Sequence, residues 1–142
     1  MKLTEHFSLE ELTYTDHRQF DNTPDEAAAA NLRRLARLLE DVRRLFGGKP
    51  IVINSAYRSK AVNDAVGSKD TSQHRLGCAA DFRIPGLSPD WIVRTIVNSV
   101  TPYDQVIREF DRWVHISVPN QPLTPPRRQA LIIDAQGTRL YV

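Results

Sequence analysis

Leu32, Leu35, Ala36, Leu39, Val42 and Phe46 recur at helical spacing, and every apolar run after them is only a few residues long. A single long amphipathic helix followed by short strand-like segments constrains the chain to an α+β fold, with helices packed on a small, mainly antiparallel sheet. At 142 residues there is room for one core, so we expect a single domain over 1–142. The 41% hydrophobic and 25% charged content is that of a folded chain and argues against disorder. No apolar run is long enough for a transmembrane helix. One cysteine, Cys78, rules out an intramolecular disulfide and a cysteine-based zinc finger.

Local signals place the elements. Ser8 to Glu11 has capping-box spacing, flanked by Phe7 and Leu12 as a hydrophobic staple, which predicts a helix of one or two turns. Thr23 as N-cap, Pro24 in the first turn and Glu26 as a capping-box partner predict the start of the long helix, with Gly47 and Gly48 as its stop. Its outer face carries Arg33, Arg34, Arg37 and Arg44 interspersed with acids, the pattern of a solvated face rather than a nucleic-acid surface, and the net charge of +2 agrees. Ile51–Ile53 and Cys78–Ile84 read as strands. A short helix is expected over 60–67, and an irregular stretch from Lys69 to Gly77. Ser88-Pro89 opens a helix reaching about Val100, with Trp91, Ile92 and Ile96 as expected core contacts. Strands over Gln105–Glu109 and Trp113–Val118 follow. A proline-rich loop, Pro119 to Pro126, then leads to a final hairpin over about 129–142 that turns near Gln136-Gly137.

Strand parity separates core residues from candidate functional ones. In Cys78–Ile84, positions 78, 80, 82 and 84 are apolar, which turns Asp81 to the opposite face beside the small Ala79. Val114, Ile116 and Val118 form a second apolar face, leaving Trp113, His115 and Ser117 on the other. Gly77 allows a close turn between His74 and the strand bearing Asp81. Two imidazoles and one carboxylate on one open sheet face suit Zn²⁺, and three protein ligands leave a coordination position free, as in catalytic sites. His6 and His17 lack such neighbours and read as surface or capping residues.

Ser72-x-His74-x-x-Gly77-x-Ala79-x-Asp81, followed by Trp113-Val114-His115, resembles the zinc D-alanyl-D-alanine carboxypeptidase family, which includes peptidoglycan endopeptidases and shares its fold with the hedgehog signalling domain. Ser55–Ser59 resembles that family's arginine-bearing loop. Phe7–Leu12 and Asp21–Pro24 resemble its small phage-type branch. The resemblance spans about residues 5–120. It implies one zinc ion per chain held by His74, Asp81 and His115, with Arg58 at the developing oxyanion or a substrate carboxylate. Ser72, Tyr57 and Trp113 would line the substrate site.

The implied activity is hydrolysis of an amide in the peptidoglycan stem peptide, as a D-Ala-D-Ala carboxypeptidase or an endolysin-type endopeptidase. The alternative is a catalytically degenerate cell-wall-binding module of a phage particle. Expected partners are the stem peptide alone, without nucleic acid or membrane insertion, and the expected state is a monomer. The polar start, Met1 to His6, lacks a signal-peptide core, so synthesis in the cytoplasm and release through a pore or from a virion are expected.

One position departs from the family. Relatives carry a glutamate three residues before the last ligand, or a histidine two before it. Here those positions are Arg112, which cannot accept a proton, and Trp113. Glu109 and Asp111 remain as candidate general bases. A connection of three residues, Phe110 to Arg112, pairs Glu109 with Trp113 and puts it on the His115 face, about 7–8 Å away diagonally. A two-residue connection turns Glu109 away. We favour Glu109, and expect Asp111 to be a turn residue.

Overall fold

Apolar burial by one helix organises the chain. In the computed structural model, which describes residues 1–142, helix α2 (Glu26–Leu45) buries Leu32, Leu35, Ala36, Leu38, Leu39 and Val42. Leu38 joins the stripe expected from the periodicity. The helix begins later than Thr23 and Pro24 predict. Asp25 is the N-cap, accepting from the Ala28 N–H at 2.8 Å, because the Asp21 carboxylate captures both the hydroxyl and the N–H of Thr23. A carboxylate at this end also complements the helix dipole.

The short helix α1 (Leu9–Leu12) has the expected capping box between Ser8 and Glu11, and both Phe7 and Leu12 lie in the core. Helix α3 (Lys60–Ala65) and a 3-10 turn (Gln73–Leu76) follow strand β1 (Val52–Ser55). Strand β2 (Ala79–Arg83) leads into helix α4 (Pro89–Val97), which buries Ile92, Val93 and Ile96. Trp91 does not join them and is 53% exposed. Once Ile92 and Ile96 face the sheet, the helical rotation carries Trp91 to the side.

Strands β3 (Gln105–Glu109), β4 (Trp113–Ser117), β5 (Gln129–Asp134) and β6 (Gly137–Leu140) complete one sheet of order β1-β2-β4-β3-β5-β6. All neighbours are antiparallel except β3 and β5, which run parallel. The proline-rich segment makes that crossover. Buried Asp104 anchors its end, accepting from the Arg127 N–H at 3.0 Å and from its guanidinium at 2.7 Å. Burial opposes ionisation of Asp104, but these bonds hold its carboxyl below the ordinary carboxylate range. The final hairpin turns through Ala135 and Gln136, near the expected place, with Asp134 paired to Gly137. No helix is long and apolar enough to cross a membrane.

The expected parity holds in the two central strands. Ala80, Phe82, Val114 and Ile116 pack into the core, and Asp81 and His115 share the opposite face. Gly77 links this sheet to α2. It has φ +76°, and a Cβ there would lie 2.7 Å from the Ala28 carbonyl oxygen and 3.1 Å from Leu32 Cγ. Gly77→Ala therefore meets both backbone strain and a backbone clash. It is expected to cost about 1–3 kcal/mol of stability, read as a lower urea midpoint at unchanged m-value.

Candidate metal centre

His74 sits on the 3-10 turn, whose carbonyl and amide groups are tied down on both sides. Arg58 donates its backbone N–H to the His74 carbonyl at 3.0 Å, and the Cys78 N–H donates to the Gln73 carbonyl at 3.0 Å. Ser72 caps the turn, its Oγ accepting from the His74 N–H at 3.2 Å. The buried imidazole lies 2.7 Å through Nδ1 from the Ala56 carbonyl oxygen. A carbonyl only accepts, so Nδ1 carries the proton and Nε2 keeps its lone pair. That lone pair points toward Asp81, with Nε2 3.4 Å from Oδ2.

Direct cross-strand pairing of Asp81 with His115 supplies the other two groups. His115 Nδ1 is 3.0 Å from Asp81 Oδ1, and the two imidazole rings meet edge to face with centroids 5.1 Å apart. One donor atom from each of His74, Asp81 and His115 lies within 4.8 Å of the others, and all three residues are buried. Tetrahedral Zn²⁺ separates its ligand atoms by about 3.3 Å. The spacing and the two-nitrogen, one-oxygen donor set therefore fit a single divalent ion.

Charge at the site follows from burial. Burial pushes the His74 imidazole down, favouring the neutral form that can ligate. Burial works against the Asp81 carboxylate, yet the neighbouring His74 and His115 hold it below the usual range, so it remains an anionic donor. Burial raises Glu109, and the Asp81 charge raises it further. Arg58 is lowered by burial while Asp81 and Glu109 pull it back up. A guanidinium nevertheless stays charged at neutral pH.

These groups form one wall of a cleft of about 720 Å³. Arg58, Ser72, Glu109 and Trp113 line it together with the three donor residues. The Arg58 guanidinium lies 3.5 Å from Asp81 Oδ2 and donates to Ser55 Oγ at 3.3 Å. The connection after β3 has three residues, so Glu109 pairs with Trp113 and reaches the site, with Oε1 3.9 Å from His115 Nδ1. Asp111 is directed elsewhere. It occupies the turn at φ +52° and is paired with Arg108 at 3.2 Å.

Tyr57 differs from its expected place. Only 6% exposed, it belongs to the hydrophobic core and is not among the residues lining the cleft. Arg58 lines the cleft while its neighbour packs inward. Sequence reading also missed Val66 to Ser68, Phe110 and Ile133, all of which line the cleft. Phe110 and Ile133 carried no motif, and only the strand order brings them here.

A His-Asp-His donor set in an open cleft, with a carboxylate and a guanidinium beside it, defines a metallohydrolase type of site. The family model described as Peptidase M15 matches residues 5–117, and the chain belongs to that metallopeptidase family. No curated protein matches the chain. The matched region ends at the last residue of β4, which leaves β5 and β6 beyond it.

The donor geometry has a direct consequence. Divalent metal should raise the thermal midpoint of the protein, because only the folded state assembles the three donors. His74→Ala and Asp81→Ala are each expected to lose this metal-dependent rise and to bind far less metal, while keeping the far-ultraviolet circular dichroism of the parent. Thermal scans with and without chelator, together with elemental analysis, measure both effects.

Proposed function

We propose that this protein is a zinc-dependent peptidoglycan peptidase that hydrolyses an amide bond in the cell-wall stem peptide. The observation that carries this reading is that Glu109 and Arg58 line one cleft with the His74-Asp81-His115 group, Glu109 beside His115 and Arg58 beside Asp81. His74, Asp81 and His115 would hold the zinc ion, which would supply Lewis acidity at neutral pH.

The chain's own groups account for the rest. The Glu109 carboxylate, close to His115 and raised by burial, is suited to take a proton from the attacking water and return it to the leaving amine. Arg58 offers a fixed positive charge to the oxyanion that develops on the scissile carbonyl, or to a substrate carboxylate. Ser72 orders the turn bearing His74 and presents its side chain to the cleft. Trp113 provides an apolar wall beside its cross-strand partner Glu109.

A second reading, a cell-wall-binding module without turnover, is favoured by one observation. Arg112 and Trp113 stand where relatives carry their general base, so proton transfer falls on a residue of the neighbouring strand. Under either reading the protein acts as a monomer on the wall polymer, without nucleic acid, after release through a membrane pore or from a virion.

Digestion of defined muropeptides, with products identified by mass spectrometry, separates the two readings. New amino termini or free D-alanine, abolished by chelator and restored by zinc, are expected of the peptidase. Intact muropeptides with zinc bound would leave the binding module. Glu109→Gln should retain zinc while losing about 10²- to 10⁴-fold in kcat, the usual size of a general acid–base contribution.

A further inference from the structure

The hairpin formed by β5 and β6 contributes little to the core. No residue of either strand is buried, and β6 is exposed throughout. It nevertheless reaches the cleft. Residues Gln129–Ile133 of β5 pair in parallel with β3, with Ile133 opposite Glu109. Paired residues share a face, so Ile133 stands on the same side as Glu109 and lines the cleft with it.

The hairpin also fixes the turn that follows Glu109. Phe110 has φ +54° and Asp111 φ +52°, a left-handed conformation that bulky residues seldom adopt. The Phe110 N–H donates to the Ile133 carbonyl at 2.8 Å. Held there, the Phe110 ring is 47% exposed at the cleft and lies 6.0 Å from the Trp113 ring, tilted by 39°. Three apolar residues from three elements thus neighbour Glu109 and line the cleft with it.

Building on the proposed peptidase reading, we infer that Ile133 and Phe110, positioned by the C-terminal hairpin, are specificity-determining residues of the cleft. With Trp113 they form an apolar wall for an aliphatic side chain of the substrate residue next to the scissile amide. The wall binds the substrate about equally before and during reaction, so it acts on KM more than on kcat.

The test uses the full chain with zinc. Ile133→Thr keeps a β-branched residue but removes apolar volume, and Phe110→Asn keeps a residue tolerant of positive φ while removing the ring. Each is expected to raise KM for a defined stem peptide roughly tenfold, with kcat, zinc content and thermal midpoint near the parent values. Ile133→Val should restore most of the affinity. Glycine in place of the flanking alanine of the peptide should penalise the parent but add little in Ile133→Thr, since both remove the same contact.

A second readout does not need turnover. The chain has two tryptophans, and Trp91 is exposed on α4, so in a Trp91→Phe background the indole fluorescence reports on Trp113. Adding the stem peptide should shift that emission, and Phe110→Asn or Ile133→Thr should weaken the titration. If the variants keep both the parental KM and the parental titration, or if kcat and zinc content fall at unchanged KM, the wall has no role in specificity, whereas hydrolysis by the parent would still support the peptidase. If the parent hydrolyses nothing yet binds through a wall that the variants weaken, the peptidase reading falls and the wall stands. A parent that shows neither turnover nor a shift overturns both.

Discussion

Pairing of Asp81 with His115 across β2 and β4 is the contact on which the site depends. It places a carboxylate and an imidazole side by side on the sheet face opposite the core, with no loop flexibility between them. A one-residue slip in that register would turn Asp81 or His115 into the apolar layer formed by Ala80, Phe82, Val114 and Ile116. The cost of burying a carboxylate there excludes the slip, so the hydrophobic pattern that folds the sheet also sets the donor geometry.

The third donor comes from outside the sheet and is positioned by backbone bonds. Ala56 accepts from the His74 ring, Arg58 donates to its carbonyl, and Ser72 caps its turn. Gly77 lets this turn approach α2 more closely than any side chain would allow. The long helix therefore supports the site as well as the core. The same loop that orients His74 carries Arg58 into the cleft, so the guanidinium and the histidine are positioned together.

Burial and charge act against each other throughout this group. Two imidazoles face a single buried carboxylate, which stays ionised, and Glu109 nearby is pushed toward its protonated form by burial and by that charge. A divalent cation in the donor set is the natural complement to such a cluster. Arg58 adds one fixed, largely buried positive charge beside Asp81. Phe110, Trp113 and Ile133 add apolar lining to the same cleft.

Alternation in Cys78–Ile84 and Trp113–Val118, the capping box at Ser8, the leucine stripe of α2 and the spacing from Ser72 to Asp81 were all legible in the sequence. Each is a local pattern whose period directly encodes which way a side chain points. Local chemistry misled where neighbours competed. Asp21 drew Thr23 away from the helix start, and the rotation of α4 left Trp91 in solvent. Tyr57 sits next to Arg58 yet faces the core. The parallel pairing of β5 with β3, and with it the arrival of Ile133 and Phe110 at the cleft, was decided only in three dimensions. Residues 24 positions apart along the chain are brought together there by a proline-rich crossover anchored on buried Asp104, and periodicity within either strand says nothing about which strand will lie beside it.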